Sequence, residues 1–306
     1  MGESDIYTIG VSVIFVNYNS TDMLIESIRS VKRHTHHASY ELIVVDNASS
    51  DGSVEAIRES FPIVKVIEPN ENLGFGRANN LGAKDAKGEY LFLLNSDTLL
   101  IENSIKKLYD FYIENEEKLH IGVLGCTLVD KDLDLIHSGG DFPTIWRYIF
   151  DNPLRVLNKI FKTNKSTFKK FSYNDTLTKV DMVTGADMFL SKKSFDKVGG
   201  FDERFFLYYE ETDMEYKLMK LGYSHYITNI TKIIHLEGGS MSYSNWKRKI
   251  VQNSQTLYFK LNHSKFFLLY ALYEFLITPI RFLQLKYSFK DNLDFVRSNI
   301  KNISNL

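Results

Sequence analysis

From Val11 onward the chain alternates short apolar runs with segments in which apolar residues recur at helical spacing. VSVIFVNYN (11–19) reads as a buried strand ending in a polar turn, and TDMLIESIRSVKRH as an amphipathic helix opened by Thr21 or Asp22. ELIVVDNAS (41–49) repeats the strand with a polar end, SSDGSVEAIRES begins the next helix, and IVKVIEP is a third strand. GFGRANNLGAKDA then predicts a helix. YLFLLNSDT predicts a fourth strand, continuously apolar at its start and so buried on both faces. Alternation at this length predicts an α/β fold built on a mostly parallel sheet with right-handed crossovers. The first, second and fourth strands run into Asn or Asp, which predicts a nucleotide crevice along that edge.

Residues 72–98 carry the densest chemistry. Gly74 and Gly76 allow positive φ and close approach of backbone to a ligand, Arg77 can fork onto phosphate oxygens, and Asn79 and Asn80 fall in an early helical turn. Asp97 sits just past the fourth strand, and one carboxylate plus a diphosphate is a common way to hold Mg²⁺ or Mn²⁺. A dinucleotide fold would place G-x-G-x-x-G directly after the first strand, where this chain has NYNST. Further on, VGGFDERFFLYYEETDMEYKLMKLGY puts Glu210, Glu211 and Asp213 at the start of an amphipathic helix behind an aromatic cluster. Acids there complement the helix macrodipole. Followed by IIHLEGGS, they also suit a general base beside a metal, with His235 completing the coordination begun by Asp97. A lone histidine closing an apolar strand is otherwise a core residue.

Composition narrows the class. The 306 residues are 44% hydrophobic and 25% charged with five prolines, which excludes a fibre or a disordered tail and fits a globular enzyme. The one cysteine, Cys126, forms no internal disulfide and reads as a small buried hydrophobe in a reducing compartment. MGESDIYTIG lacks the basic-then-apolar order of an export signal, so a cytosolic protein is expected, working at the inner face of the cytoplasmic membrane if its tail binds lipid.

The net charge of −1 hides a division: residues 241–306 hold ten Lys or Arg against three Asp or Glu, an excess of +7 that leaves −8 for residues 1–240. Within this tail KFFLLYALYEFLITPIRFL (265–283) is apolar but interrupted by Glu274, Pro279 and Arg281, too broken to span a bilayer. Two readings stand: amphipathic helices against an anionic membrane or a partner subunit, and a helical hairpin that closes the core. Residues 141–178 are expected to form an insertion over the active face. Its stretch Asn152 to Asn174 has six basic residues and no acid, which suits a phosphorylated or lipid-linked acceptor or a solvated loop. No base-reading module accompanies this basic stretch and the body is acidic, so nucleic acid is not the expected partner. The expected division is a catalytic part, 1–240, and a basic, aromatic, helical extension, 241–306.

In order along residues 11–240, VNYNS, VVDNASSDGS, NLGFGRANN, LLNSDT, VTGADMFL, VGGFDERFFLYYEETD and HLEGGS resemble the motifs of family 2 glycosyltransferases with the GT-A fold, and within them the rhamnosyltransferase-like members. The resemblance implies a nucleotide-sugar site in which Asn17, Asp46 and Asn47 hold base and ribose and Asn72 and Arg77 the diphosphate side, with Asn19, Gly74, Asn80 and Asn95 also in the site. It also implies that Asp97 with His235 binds Mn²⁺ or Mg²⁺. Glu211 falls where the family places its catalytic base, with Glu210 and Asp213 shaping the acceptor pocket. The implied reaction is inverting, metal-assisted single displacement from a nucleoside-diphosphate sugar, dTDP-rhamnose or a UDP-hexose, to a saccharide or lipid-linked saccharide hydroxyl. Three positions depart from the pattern: Ser96 where proline is common, Glu211 where Asp is common, and Asp187 in a stretch usually small or apolar. A nucleotidyltransferase and a silent glycan-binding scaffold are the alternatives from other classes.

Overall fold

The computed structural model describes residues 9–150, 175–236, 244–282 and 287–305. Its first half follows the predicted alternation: β1 (Val11–Asn17), α1 (Thr21–His34), β2 (Tyr40–Asp46), α2 (Ser53–Ser60), β3 (Lys65–Ile67), α3 (Gly74–Asp85) and β4 (Tyr90–Leu94). There follow β5 (Thr98–Leu100), α4 (Ser104–Leu119), β6 (Ile121–Val129), β7 (Gly139–Gly140), β8 (Leu177–Val180), β9 (Met182–Val183) and β10 (Asp187–Ser191). Next come α5 (Lys192–Lys197), α6 (Glu210–Lys220) and β11 (Ser224–His235). The C-terminal part consists of α7 (Asn245–Asn262), α8 (Phe267–Arg281) and α9 (Phe289–Asn305).

The main sheet runs β3-β2-β1-β4-β10-β6-β11-β5, with β8 paired to β11. β3, β2, β1 and β4 are parallel, as the βα alternation requires. β10 enters antiparallel between β4 and β6, and β11 lies parallel to β6. The β1–β2 register sets Asn17 opposite Asp46, so the polar ends of these strands meet at one edge. Successive residues of β1 feed opposite cores: Val13 and Phe15 pack with Leu24, Ile28 and Val31 of α1, while Ile14 packs with Ala78 of α3 and Met214 of α6. Leu24, Ile28 and Val31 lie four and three residues apart, one stripe of α1 turned to the sheet. β4 is buried from Leu91 to Leu94, as its unbroken apolar run predicts.

A third core lies in the C-terminal part, where Tyr258 and Phe259 of α7 and Tyr270 of α8 pack with Ile145 and Phe205. To this extent the extension closes a core, as the hairpin reading expects. Of the expected insertion at 141–178, residues 151–174 lie outside the described residues. Its beginning, helical over 145–150, leans on the extension: the Tyr148 ring lies 5.8 Å from Phe259 and 5.5 Å from Tyr270. Its end is not insertion at all, because β8 joins the main sheet from Leu177 onward. Among the described residues no helix is long and apolar enough to cross a membrane.

Candidate functional site

A cleft of about 760 Å³ opens where β1, β2 and β4 end. Asn19 and Ser20 of the β1 loop, Asn47 after β2, Asn72 and Gly74 before α3, and Asn95, Ser96 and Asp97 after β4 line one side. Phe75, Phe206, Tyr208 and Trp246 line the other. Three strand ends thus deliver polar groups to one cleft.

Beneath this wall lies a hydrogen-bonded frame. Asn17 is fully buried, and its Nδ2 donates to Asp46 Oδ1 at 2.7 Å and to Ser49 Oγ at 3.2 Å, while Ser20 Oγ donates to its Oδ1 at 2.7 Å. Asp46 is 2% exposed, takes the Ser49 amide on Oδ2 at 2.9 Å, and borders a separate hollow of about 300 Å³ beside α2. Asn17 and Asp46 therefore hold the strand ends in register rather than facing the cleft. Asn19, at φ 50°, takes the Ser50 amide at 2.8 Å on its side chain, which braces the β1 loop against the β2 loop. Ser96 and Ser20 share a hydroxyl contact at 3.2 Å, linking the β1 and β4 loops where a proline would offer no hydroxyl.

The glycine motif is used unequally. Gly74 sits at φ +77°, and a Cβ there would lie 1.9 Å from the Phe206 carbonyl oxygen, so only glycine fits. That carbonyl accepts the Phe75 amide at 3.1 Å, Asn47 Nδ2 donates to the Gly74 carbonyl at 3.0 Å, and Asn72 Oδ1 takes the Gly74 amide at 2.9 Å. Gly76, in contrast, does not adopt the expected positive φ. It lies within α3, where a Cβ would come 2.9 Å from Phe201 Cβ and 3.3 Å from Glu210 Cβ, so its role is close packing.

Two residues of the same motif turn away from the cleft. Arg77 donates from Nε to the Leu73 carbonyl at 2.9 Å and lies 3.8 Å from Glu71, while Asn80 clamps Phe201 from both sides, giving 2.8 Å to its carbonyl and taking 2.9 Å from its amide. An α-helix shows only one stripe to a given neighbour, and the stripe facing the cleft begins with Gly74 and Phe75.

Asp97 and His235 meet across the β5–β11 pair. His235 stands opposite Thr98, the Leu236 amide donates to the Asp97 carbonyl at 3.0 Å, and His235 Nε2 lies 3.3 Å from Asp97 Oδ1. Their side chains are 18% and 16% exposed for Asp97 and His235 respectively; Asp97 lines the cleft, and His235 stands behind it. A hard carboxylate oxygen beside an imidazole nitrogen, both partly open, fits a divalent ion that draws its other ligands from a diphosphate. Among the described residues no cluster of three His, Cys, Asp or Glu could hold a metal without such help.

The acids of α6 separate by direction. The helix opens behind Tyr208 and Tyr209, at φ 68° and 70°, two left-handed non-glycine residues in sequence. Such strain marks sites where surrounding structure over-determines the backbone. Glu210 is 2% exposed beneath α3, and burial together with the Glu211 charge pushes its carboxyl well above the usual range. The Glu211 side chain lies near Gly185, with Oε2 buried and unbonded, and it is not among the residues lining the cleft; burial raises its carboxyl, while the amides at the helix start pull it down. Asp213 faces the other way: fully buried, it accepts from Asn262 Nδ2 of α7 and sits 2.7 Å from Lys217 Nζ. It ties α6 to the extension rather than shaping the cleft.

The aromatic wall includes a residue the sequence reading passes over. Trp246, at the start of α7, meets Phe206 edge-on with ring centroids 6.2 Å apart, and Lys247 Nζ lies 5.6 Å over Tyr208. The extension is therefore part of the cleft. The FFLYY run signals aromatics at this site, whereas nothing in the primary sequence joins Trp246 to it. Asp187 lies below the floor, fully buried on β10 opposite Leu94, where it accepts the Cys126 amide at 2.7 Å. Its partner there is a backbone amide of β6.

Comparison with known proteins places this architecture. The chain is 26% identical over 236 residues to N-acetylglucosaminyl-diphospho-decaprenol L-rhamnosyltransferase of Mycobacterium tuberculosis, covering 73% of this chain and 75% of that one. It is 35% identical over 119 residues to poly(ribitol-phosphate) beta-N-acetylglucosaminyltransferase TarP of Staphylococcus aureus, 38% of this chain and 36% of that one. Among solved structures it resembles GalNAc-T7 with UDP, GalNAc and Mn²⁺ at a TM-score of 0.61 and S. aureus TarS at 0.56, each 16% identical. Those superpositions cover 97% of this chain but 55% and 50% of the two structures, so the chain spans about half their length and shares their GT-A fold. The family model for glycosyl transferase family 2 matches residues 12–199, and with the sheet and cleft just described the chain belongs to glycosyl transferase family 2.

Proposed function

We propose that the cleft binds a nucleoside-diphosphate sugar and transfers its sugar, with inversion, to a hydroxyl of a saccharide or lipid-linked saccharide. The observation that carries this reading is the pairing of Asp97, which lines the cleft, with His235 at 3.3 Å. Asp97 and His235 would hold Mn²⁺ or Mg²⁺, which when bound supplies positive charge against the departing diphosphate. Asn19, Asn47, Asn72 and Asn95 offer donors and acceptors to the nucleotide, and Gly74 lets the backbone come close to it.

Glu210 and Glu211 divide one task. Burial raises both carboxyls, and the Glu211 charge raises Glu210 further, so Glu211 is the member of the pair that ionises more readily. Its carboxylate takes the proton from the acceptor hydroxyl as that oxygen bonds to the anomeric carbon and the nucleoside diphosphate leaves with its bonding pair. No second carboxylate serves as nucleophile. Phe206, Tyr208 and Trp246 provide flat apolar faces for an acceptor ring.

Rhamnose from dTDP-rhamnose is the favoured donor sugar, since the relative matched over 73% of this chain is named an L-rhamnosyltransferase. A UDP-hexose is the second reading, supported by the relatives named as N-acetylglucosaminyl- and glucosyltransferases. The deciding assay incubates the protein with Mn²⁺, dTDP-rhamnose, UDP-glucose or UDP-N-acetylglucosamine, and a polyprenyl-diphosphate-linked saccharide. Release of dTDP with mass gain on the acceptor is expected. UDP release alone would transfer the proposal to a hexose, and pyrophosphate release would contradict it.

A further inference from the structure

Helix α8 is built inside out. Its buried positions include Tyr270 and Glu274, and the Glu274 carboxylate accepts from Tyr148 Oη at 2.5 Å, Asn299 Nδ2 at 2.6 Å and Gln252 Nε2 at 3.3 Å. Its outward positions are Leu268, Leu272, Phe275 and Leu276, exposed at 71%, 54%, 70% and 72%. Steps of four, three and one residue put these four on a single stripe. A helix lying on a protein surface in water normally shows the opposite arrangement, and a contiguous exposed apolar stripe marks an interaction surface. Phe266 just before the helix and Phe289 at the start of α9 are exposed as well, at 47% and 73%.

Charge indicates what covers the stripe. Lys265 and Lys290, the sequence neighbours of Phe266 and Phe289, are exposed. Of the three acids in residues 241–306 one is Glu274, held inside by its hydrogen bonds, while the segment's ten Lys and Arg exceed its acids by seven. The helix has 15 residues, about 22 Å of rise, against a hydrocarbon core of about 30 Å. It suits the plane of an interface, not a crossing. A second copy docked through α8 would set two cationic surfaces against each other, whereas anionic lipid neutralises one.

We propose that α8 lies in the surface of an anionic bilayer, with Leu268, Leu272, Phe275 and Leu276 among the acyl chains and Lys265 and Lys290 at the phosphate level. This goes beyond the transfer reading and does not rest on it. The two meet in α7, which begins with Trp246 on the cleft wall and packs through Tyr258 and Phe259 on Tyr270 of α8. Lipid contact at α8 would hold the cleft near a lipid-linked acceptor.

The test is co-sedimentation with vesicles of phosphatidylglycerol and phosphatidylcholine, or of phosphatidylcholine alone, without donor or metal. The parent protein is expected on the anionic vesicles. Leu272→Glu with Phe275→Glu changes only exposed side chains; it should lower partitioning by roughly tenfold or more with an unchanged Tm. If that pair lowers Tm, Lys265→Glu with Lys290→Glu decides, by weakening binding to the anionic vesicles alone. Absence of the parent from both vesicles, or partitioning that neither pair alters, would overturn the proposal. So would a lipid-free dimer that Leu272→Glu with Phe275→Glu splits, since the occupant would then be a second copy.

Discussion

In the proposed reaction Glu211 takes the acceptor proton, and its test separates binding from chemistry. Glu211→Gln keeps shape and removes the base, so kcat should fall by roughly 10²- to 10⁴-fold while nucleotide-sugar affinity stays within about twofold. Unchanged turnover would assign the proton to another group. Gly74 is held by geometry: with φ at +77° and the Phe206 carbonyl 1.9 Å from any added Cβ, Gly74→Ala must displace the 205–209 loop. Loss of at least about 2 kcal/mol in denaturant unfolding is expected, together with weaker nucleotide binding. A variant as stable as the parent would show that the close approach is not required.

Asp187 carries a pH signature. Burial pushes its carboxyl up to about 7 from an ordinary 3.8, with the Cys126 amide and His235 pulling it down. Between about pH 4 and 7 the native state keeps a proton that the unfolded chain has released, so stability from this group is full below the ordinary carboxylate range and is lost as pH rises through 7. Asp187→Asn removes that loss. Its Tm minus the parent's should climb from pH 4 to about pH 8 and then level, and a difference that is flat with pH would mean that Asp187 titrates normally.

At the scale of elements, the start of α7 makes the extension a partner in the cleft. Trp246→Ala should raise acceptor KM by roughly three- to tenfold and leave donor KM alone, because the ring is 49% exposed and supports a wall rather than a core. An unaltered acceptor KM would place the acceptor elsewhere. The same helix shows where sequence reasoning ends. β1, β2, β4 and α3 were legible because each carries its own period and its own polar stop, and the acids of α6 and the Asp97 turn were legible for the same reason. The antiparallel entry of β10 was not, since direction within a sheet is settled by where the chain returns from. Arg77, Asn80 and Asp213 have the right chemistry in the right motif, but their helices turn them onto Glu71, Phe201 and Asn262. In α8 the apolar pattern was visible, yet which face it buries depends on Glu274 finding Tyr148, Gln252 and Asn299, contacts that join distant segments.

For the whole molecule, a split of −8 and +7 between the first 240 residues and the rest matches a division of labour: an acidic body that carries the proposed donor site, and a cationic part that helps to line the cleft and turns an apolar stripe outward. The proposed donor site requires nucleoside diphosphate and a divalent ion to bind together at Asp97. It is tested most directly by the thermal stability of the parent and of Asp97→Asn with dTDP, UDP or GDP, each with and without Mn²⁺. A ligand at about 100 times its dissociation constant adds about 2.7 kcal/mol. The parent should gain stability with dTDP or UDP only when Mn²⁺ is present, and Asp97→Asn should lose that gain. No shift in the parent with any nucleotide, or one in Asp97→Asn equal to the parent's, would rule out joint binding at Asp97.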